Sequence, residues 1–353
     1  MINVYLSEYN LLTSVQTQFN ITQVSDWVEV SIQLEGQYIY TTRLYPNNNI
    51  ATFYGFQDIL RQNMRARGLT FASLTIIAAE EMGAEYLEDK YIIYNEVIDI
   101  DDERDLLWAR FLTIRSFYTL PRNNGQLPLA FFSDASEQKS LTAECVFKED
   151  DGTIRTYPFT KSIYPFQVPR IYYVYLYASE IQNYVERAEG GPVGKLVSFN
   201  CHVGSRSMTV YITDEPYEVE FSFRNSFNVL ETIYIYGTTK LKSSFDRKEA
   251  VSQGVTMFYN MSVERKHEVE TQPMSLEEAE WFNEFLASPH VERELNQDWQ
   301  PTVLISDITS EISDSAKDLV KMKFSWRYND NSRWISTDDY PQMFSAPYND
   351  TFK

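Results

Sequence analysis

Residues 217–237 alternate so regularly that they point to one local structure, a β-hairpin with a buried face. In the first run Tyr217, Val219, Phe221 and Phe223 alternate with Glu218, Glu220, Ser222 and Arg224. Successive side chains of a strand point to opposite faces, so a period of two sends one set into a core and the other into water. Asn225-Ser226-Phe227-Asn228 has the residue types of a turn. Beyond it Leu230, Thr232, Tyr234 and Tyr236 share one face, while Ile233 and Ile235 load the other. A strand apolar on both faces is a central one, covered on both sides, and its neighbours are expected to build on it.

The same periodicity recurs along the chain. Residues up to about 26 are polar and show little pattern. Val28, Val30, Ile32 and Leu34 then alternate with polar residues, Gly36 marks a turn, and Tyr38, Tyr40, Thr42 and Leu44 resume the alternation up to Pro46. A short strand at 50–54 leads to a helix from about Gln57, with Ile59, Leu60 and Met64 on one side and Gly68 as its stop. Strands are expected at 69–79, 91–98 and 111–117, and the acidic run 99–105 reads as a solvated linker. Residues 121–125 read as a loop. Next, Leu141, Ala143, Cys145 and Phe147 alternate up to the turn Glu149-Asp150-Asp151-Gly152, and the return strand runs 153–157, ended by Pro158.

Here the chain repeats itself. Thr41-Thr42-Arg43-Leu44-Tyr45-Pro46 and Thr153-Ile154-Arg155-Thr156-Tyr157-Pro158 share T-x-R-x-Y-P, 112 residues apart. Each copy closes a hairpin and precedes strand, helix and further strands. The second set is a strand at 171–177, a helix from Ser179 with Gln182 completing a capping box, and strands at 195–203 and 207–212. In the last third, a long strand runs from Val255 toward Thr271. A helix follows, capped by Ser275 and Glu278, with Leu276, Ala279, Phe282 and Leu286 as its apolar stripe and Pro289 as its stop. Strands at 302–308 and 320–328 complete the pattern.

The expected fold is therefore mainly β: tandem β-sandwich-like modules, each with a short helix, then a C-terminal β-rich module with one amphipathic helix. The boundaries are 1–115, 116–214 (a candidate repeat of the first), 215–330 with a helix at 276–287, and a polar, aromatic-spotted tail at 331–353. A chain of 353 residues is long enough for two or three such cores.

Charge and composition narrow the function. A formal charge of −19 and a pI near 4.6 set up a field that repels phosphate backbones and anionic membranes. No run of about 18 apolar residues predicts a membrane span. No Lys or Arg precedes Arg43, so no charged leader is expected. Cys145 and Cys201 read as buried thiols rather than a disulfide framework. The three histidines, His202, His267 and His290, lack metal-ligand spacing, and Cys201 and His202, adjacent on a strand, face opposite ways. The acidic run has Arg104 and Arg110 where a calcium loop needs Gly and Glu. Glu189 and Leu196 spoil the only approach to a P-loop, around Gly194-Lys195. No residue qualifies as catalytic, cofactor-binding or metal-ligating, and no cofactor is expected. Two readings remain beside a structural one. Paired carboxylates among 50 acidic residues would serve glycoside hydrolysis, and exposed Trp27, Trp108 or Trp334 would stack on sugars.

The last third also carries a resemblance. Arg224–Gly237 (R-N-S-F-N-V-L-E-T-I-Y-I-Y-G), then F-L-A-S-P at 285–289, P-T-V-L-I-S-D at 301–307 and F-S-W-R-Y at 324–328 follow a long strand and a capped helix in an order similar to β-rich tail or tail-tip (distal-tail-like) proteins of phages and prophages of gut bacteria. The resemblance implies a non-enzymatic structural protein of the virion, assembled in the host cytoplasm. Its partners would be copies of itself and other tail proteins, without sequence-specific nucleic-acid binding. It carries over no catalytic residues. The alternative is a secreted or surface carbohydrate-binding adhesin.

Overall fold

A computed structural model of the chain describes residues 1–80, 83–96, 103–134, 139–163, 169–252, 255–294, 302–310 and 319–329. It is mainly β, with several separate sheets and four α-helices, as tandem β-sandwich-like modules require. The tail at 331–353, with Trp334, lies outside the described residues.

In chain order the first elements are β1 (Ile2–Asn3), β2 (Tyr9–Leu11), β3 (Gln18–Thr22), β4 (Val28–Leu34), β5 (Gln37–Leu44), β6 (Ile50–Tyr54), α1 (Phe56–Ala66), β7 (Phe71–Glu80) and β8 (Gly83–Ile93). Strands β2-β8-β7-β4-β5 form one sheet and β1-β3-β6 another. Their facing side chains, Val28, Val30, Ile32, Leu74 and Ile76 on one sheet and Phe19, Ile21 and Phe53 on the other, meet Phe56, Leu60 and Met64 of α1 in one core. Each fully buried side chain of this size contributes roughly 1.5–3 kcal/mol, so the core is ample for an independent module. Gly68, at φ +63°, ends α1 in the left-handed turn that a Cβ disfavours.

The next elements are α2 (Glu103–Ala109), β9 (Phe117–Pro121), β10 (Gln126–Ser133), β11 (Lys139–Lys148), β12 (Ile154–Ile163), β13 (Arg170–Tyr177), α3 (Ala178–Glu189), β14 (Lys195–Val203) and β15 (Arg206–Thr213). Their five-stranded sheet runs β9-β15-β14-β11-β12, with β10-β13 beside it. This is the first module's order, strand for strand. In both, the first strand pairs parallel with the last, β2 with β8 and β9 with β15. In both, a helix follows the strand after the hairpin. The two T-x-R-x-Y-P segments run along the outermost strands, β5 and β12.

The remaining elements are β16 (Val219–Arg224), β17 (Leu230–Ile235), β18 (Gly237–Ser252), β19 (Val255–Thr271), α4 (Leu276–Ala287), β20 (Val291–Arg293), β21 (Val303–Ser310) and β22 (Met322–Tyr328). Contacts group the described residues into two compact units. One falls within 1–217, 222–234 and 280–289, and the other comprises 218–221, 235–279 and the described residues among 290–294, 302–310 and 319–329. Both modules lie in the first unit, where Leu11 and Ile93 meet Ala130, Phe132 and Ile171 in a shared core with Leu106 and Leu107 of α2. In the second unit β18-β19-β22-β21 form a sheet. Phe221 there packs on Trp326, their rings 5.4 Å apart. Ser275 and Glu278 form the expected capping box: the Glu278 carboxylate accepts from Ser275 N at 3.0 Å, and Ser275 Oγ accepts from Glu278 N at 3.3 Å.

Several expectations fail for identifiable reasons. The N-terminal 26 residues are not patternless, for Leu11, Leu12, Val15, Phe19, Ile21 and Val24 are all core; their strands are two to five residues long, too short to show a period. Of the acidic run, residues 103–105 open α2, whose Leu106 and Leu107 are buried, instead of forming a linker, and 99–102 lie outside the described residues. Phe111 and Leu112 are buried outside any strand, and the strand begins at Phe117. The return strand continues through Pro158 to Ile163. Proline is tolerated there because β12 is an edge, where a missing N–H breaks no ladder bond. The capping box at Ser179 does not form. The helix begins at Ala178 without a side-chain cap, and Gln182 instead bonds Gly194 O and Leu196 N.

Candidate functional site

The turn 225–228 gathers more of the first unit's polar contacts than its length suggests. Asn225 accepts from Phe227 N at 2.9 Å through its own side chain, closing the turn. Its amide donates to Leu112 O at 2.8 Å and to Glu231 Oε1 at 2.5 Å. Glu231 is buried, and its other oxygen accepts from Trp281 Nε1 at 2.6 Å and Tyr118 O–H at 2.8 Å. Three donors at one carboxylate supply the partners that a buried charge requires. The Arg115 guanidinium lies 4.0 Å from the centre of the Trp281 ring and 4.4 Å from that of Tyr118. Burial, with the charge on Glu231, raises the Tyr118 phenol well above its usual value.

On the other side of the turn, Asn228, at φ +58°, donates to Leu69 O at 3.1 Å, and Arg224 donates to Asn228 O at 2.9 Å. Glu96 N donates to Ser226 O at 2.8 Å. Glu284 accepts from Ser226 N at 3.2 Å, while its Oε2 is buried without a hydrogen-bond partner. Burial, then the neighbouring charge of Glu231, pushes the Glu284 carboxyl up to about 7. Arg65, Tyr94, Glu96, Arg224 and Glu284 line a cavity of about 110 Å³ here. That is room for a few waters, well below the ~300–1,000 Å³ of ligand pockets.

A second feature lies at the sheet edges. β12 borders an open groove of about 600 Å³ lined by Phe159, Lys161, Glu180, Asn183, Tyr184 and Arg187. The Lys161–Glu180 ion pair, at 2.8 Å, crosses it. β5 carries Tyr38 and Tyr40, 66% and 42% exposed. Among the described residues, no strand pairs with the outer side of either strand.

The residues singled out by sequence have structural surroundings. Both cysteines are free, and burial pushes both thiols up to about 12, leaving them protonated at neutral pH. His267 stacks on Trp326 at 3.9 Å and His290 pairs with Glu292 at 3.0 Å. No group of three His, Cys, Asp or Glu suits a metal among the described residues. Trp27 is covered by Arg43 at 4.4 Å, and Trp108 packs on Phe132 at 5.1 Å. No helix among the described residues is long and apolar enough to cross a membrane.

Two polar core residues escaped sequence reading. Glu231 has the parity of Ile233 and Ile235, the face read as apolar, and that parity was the signal for its burial. Arg206 is buried and donates to Phe132 O at 2.9 Å, Arg110 O at 3.0 Å and Leu107 O at 2.5 Å, so it satisfies carbonyls at and just beyond the end of α2. Burial lowers its guanidinium to about 10. Nothing local in the sequence marks it.

No family model matches the chain, and no curated protein matches it. Among solved structures, the calcium binding domain CBD12 of CALX1.1 aligns over 56% of this chain and 75% of its own, at 9% identity and a TM-score of 0.14. A score that low carries no argument about fold or function.

Proposed function

We propose that the chain is a non-enzymatic structural subunit of a bacteriophage tail or tail-tip assembly, held in place by contacts with copies of itself and with neighbouring tail proteins. The observation that carries this reading is the β5 edge. It is eight residues long, contains no proline, displays two exposed tyrosines, and has no strand partner on its outer side among the described residues. An exposed edge of this kind is a template for strand pairing, and tyrosine is enriched at interfaces. The order of elements in the last third, similar to phage tail proteins, supplies the biological setting. The strongly acidic composition suits a channel through which DNA slides without sticking.

Electron microscopy of the purified full chain tests the proposal. Closed rings, or decoration of tail complexes, are the expected result; dispersed single particles under all conditions would count against it. A carbohydrate-binding adhesin is the second reading, and the groove beside β12, with the half-exposed Tyr184 among polar side chains, is its support. A glycan array separates the two: saturable binding lost on Tyr184→Ala would favour the adhesin.

A further inference from the structure

Two neighbouring carboxyl groups of the first unit are served unequally. Glu231 takes three donors, Trp281 Nε1, Tyr118 O–H and Asn225 Nδ2. Glu284 takes one, Ser226 N at 3.2 Å on Oε1, and its Oε2 is buried with no hydrogen-bond partner among the described residues. The Ser226 hydroxyl, likewise buried and unpartnered, borders the same cavity. A charged carboxylate held there would lack the donors that a buried charge requires, whereas a neutral carboxyl is tolerated.

The surroundings do not favour a charge either. α1 contributes Arg65, which pairs with Glu96 at 3.4 Å, and the Glu96 carboxylate, just beyond β8, also accepts from the Tyr94 O–H. β16 contributes Arg224, which bonds Asn228 O at 2.9 Å, and β17 contributes Glu231. Arg115 lies behind Glu231, over the rings of Trp281 and Tyr118, and Glu280, one turn back on α4, is exposed. Both arginines that line the cavity are thus engaged with other acceptors, while Glu96 and Glu231 oppose a further negative charge. The cavity, about 110 Å³, has room for the waters that an ionised Glu284 would draw in.

Glu284 is also a bond between α4 and the turn 225–228, because its one donor is Ser226 N. Ser226 O accepts from Glu96 N at 2.8 Å, and Asn225 and Asn228 donate to Leu112 O and Leu69 O. A change at Glu284 therefore reaches three other segments of the same unit.

We propose that Glu284 is a proton-operated latch. With its carboxyl neutral, the C-terminal half of α4 closes on the turn 225–228; with its carboxyl charged, water enters the cavity and the turn opens locally while the sheets stay folded. Burial and then Glu231 hold the carboxyl at about 7 in the closed state, against an ordinary 4.5 in the open one. The closed state is thus favoured in acid, opening becomes easier as pH rises between those values, and the effect levels off above them. The inference goes beyond the subunit reading and holds for a monomer as for an assembly.

Hydrogen exchange of the full chain, corrected for the intrinsic effect of pH, tests the latch between about pH 4.5 and 7.5. Protection of the Glu96 and Ser226 amides should fall by about tenfold or more over that range, and at the upper end they should exchange at least about tenfold faster than the amides of β14. Glu284→Gln, confirmed folded by circular dichroism, should remove the dependence on pH. Glu96→Gln, which deletes one opposing charge and releases Arg65, should reduce it, and carries the test if Glu284→Gln does not fold. Protection of the turn that is independent of pH in the wild type would overturn the latch. So would a fall that persists in Glu284→Gln or is undiminished in Glu96→Gln. Equal protection of the turn and β14 at every pH would show that the turn opens only when the whole unit unfolds, and would overturn it too.

Discussion

The two five-stranded sheets have the same strand order but finish their outer edges differently. β12 carries Pro158 and Lys161, and its neighbour α3 spans the groove with the Lys161–Glu180 pair. Proline and an edge lysine are the devices that keep a sheet from pairing with another chain. β5 has neither. Its one charge, Arg43, is drawn back over Trp27 and onto Glu29 at 3.4 Å, leaving Tyr38, Tyr40 and Thr41 on the surface. Two edges in one topology, one guarded and one open, indicate that openness is a property of the sequence at β5 and not a consequence of the fold.

The largest expected effect comes from closing the open edge. Tyr38→Lys with Tyr40→Lys should reduce self-association by about a hundredfold, while Ile154→Lys on β12 should leave it unchanged. Light scattering on the three proteins reads both, and an equal loss from both edges would erase the distinction. Next is the removal of the guard. Pro158→Val with Lys161→Thr should create a second pairing edge, seen as assemblies larger than the wild type's; an unchanged mass would mean that β12 is shielded by something other than those two residues.

The stability of the modules is separable from their edges. Arg206→Leu leaves three carbonyls without their donor. At about 1–3 kcal/mol for a buried unsatisfied group, the loss is expected to reach a few kcal/mol by denaturant titration. A loss below 1 kcal/mol would show that water replaces the guanidinium. The smallest effect concerns Glu284. Its carboxyl titrates near 7 in the folded chain, above the ordinary 4.5. The folded state therefore holds this proton more tightly than the unfolded chain does. Its contribution is fully present below about pH 4.5, declines as pH rises, and is lost above about pH 7. Glu284→Gln should stabilise the protein at pH 8 by about 1–3 kcal/mol and flatten the dependence of Tm on pH between those limits. Parallel profiles for variant and wild type would place the titration elsewhere.

Much of this architecture was legible because a buried face imposes a period of two. β4, β11 and β22 declare themselves that way, and the six-residue repeat marks the two edges. β18 stayed hidden for the opposite reason. Lys240, Lys242, Asp246 and Lys248 lie on a strand with no covered face to enforce alternation in its outer half. Glu231 is legible only where position outweighs residue type, and nothing local in the sequence marks Arg206. A carboxylate that shares the parity of Ile233 and Ile235 belongs to the core, provided that donors such as Trp281, Tyr118 and Asn225 arrive from 50, 113 and 6 residues away. Such partners are visible only once the chain is folded. The edges were visible as strands, but their guarding became meaningful only with the strand order in hand.

The account stands on self-association, and the mass of the unmodified chain in solution tests it most directly. Light scattering across a wide range of concentration should give a defined multiple of 41.4 kDa that falls toward the monomer when β5 is closed. A mass of 41.4 kDa at every concentration, unchanged by the β5 substitutions, would contradict it.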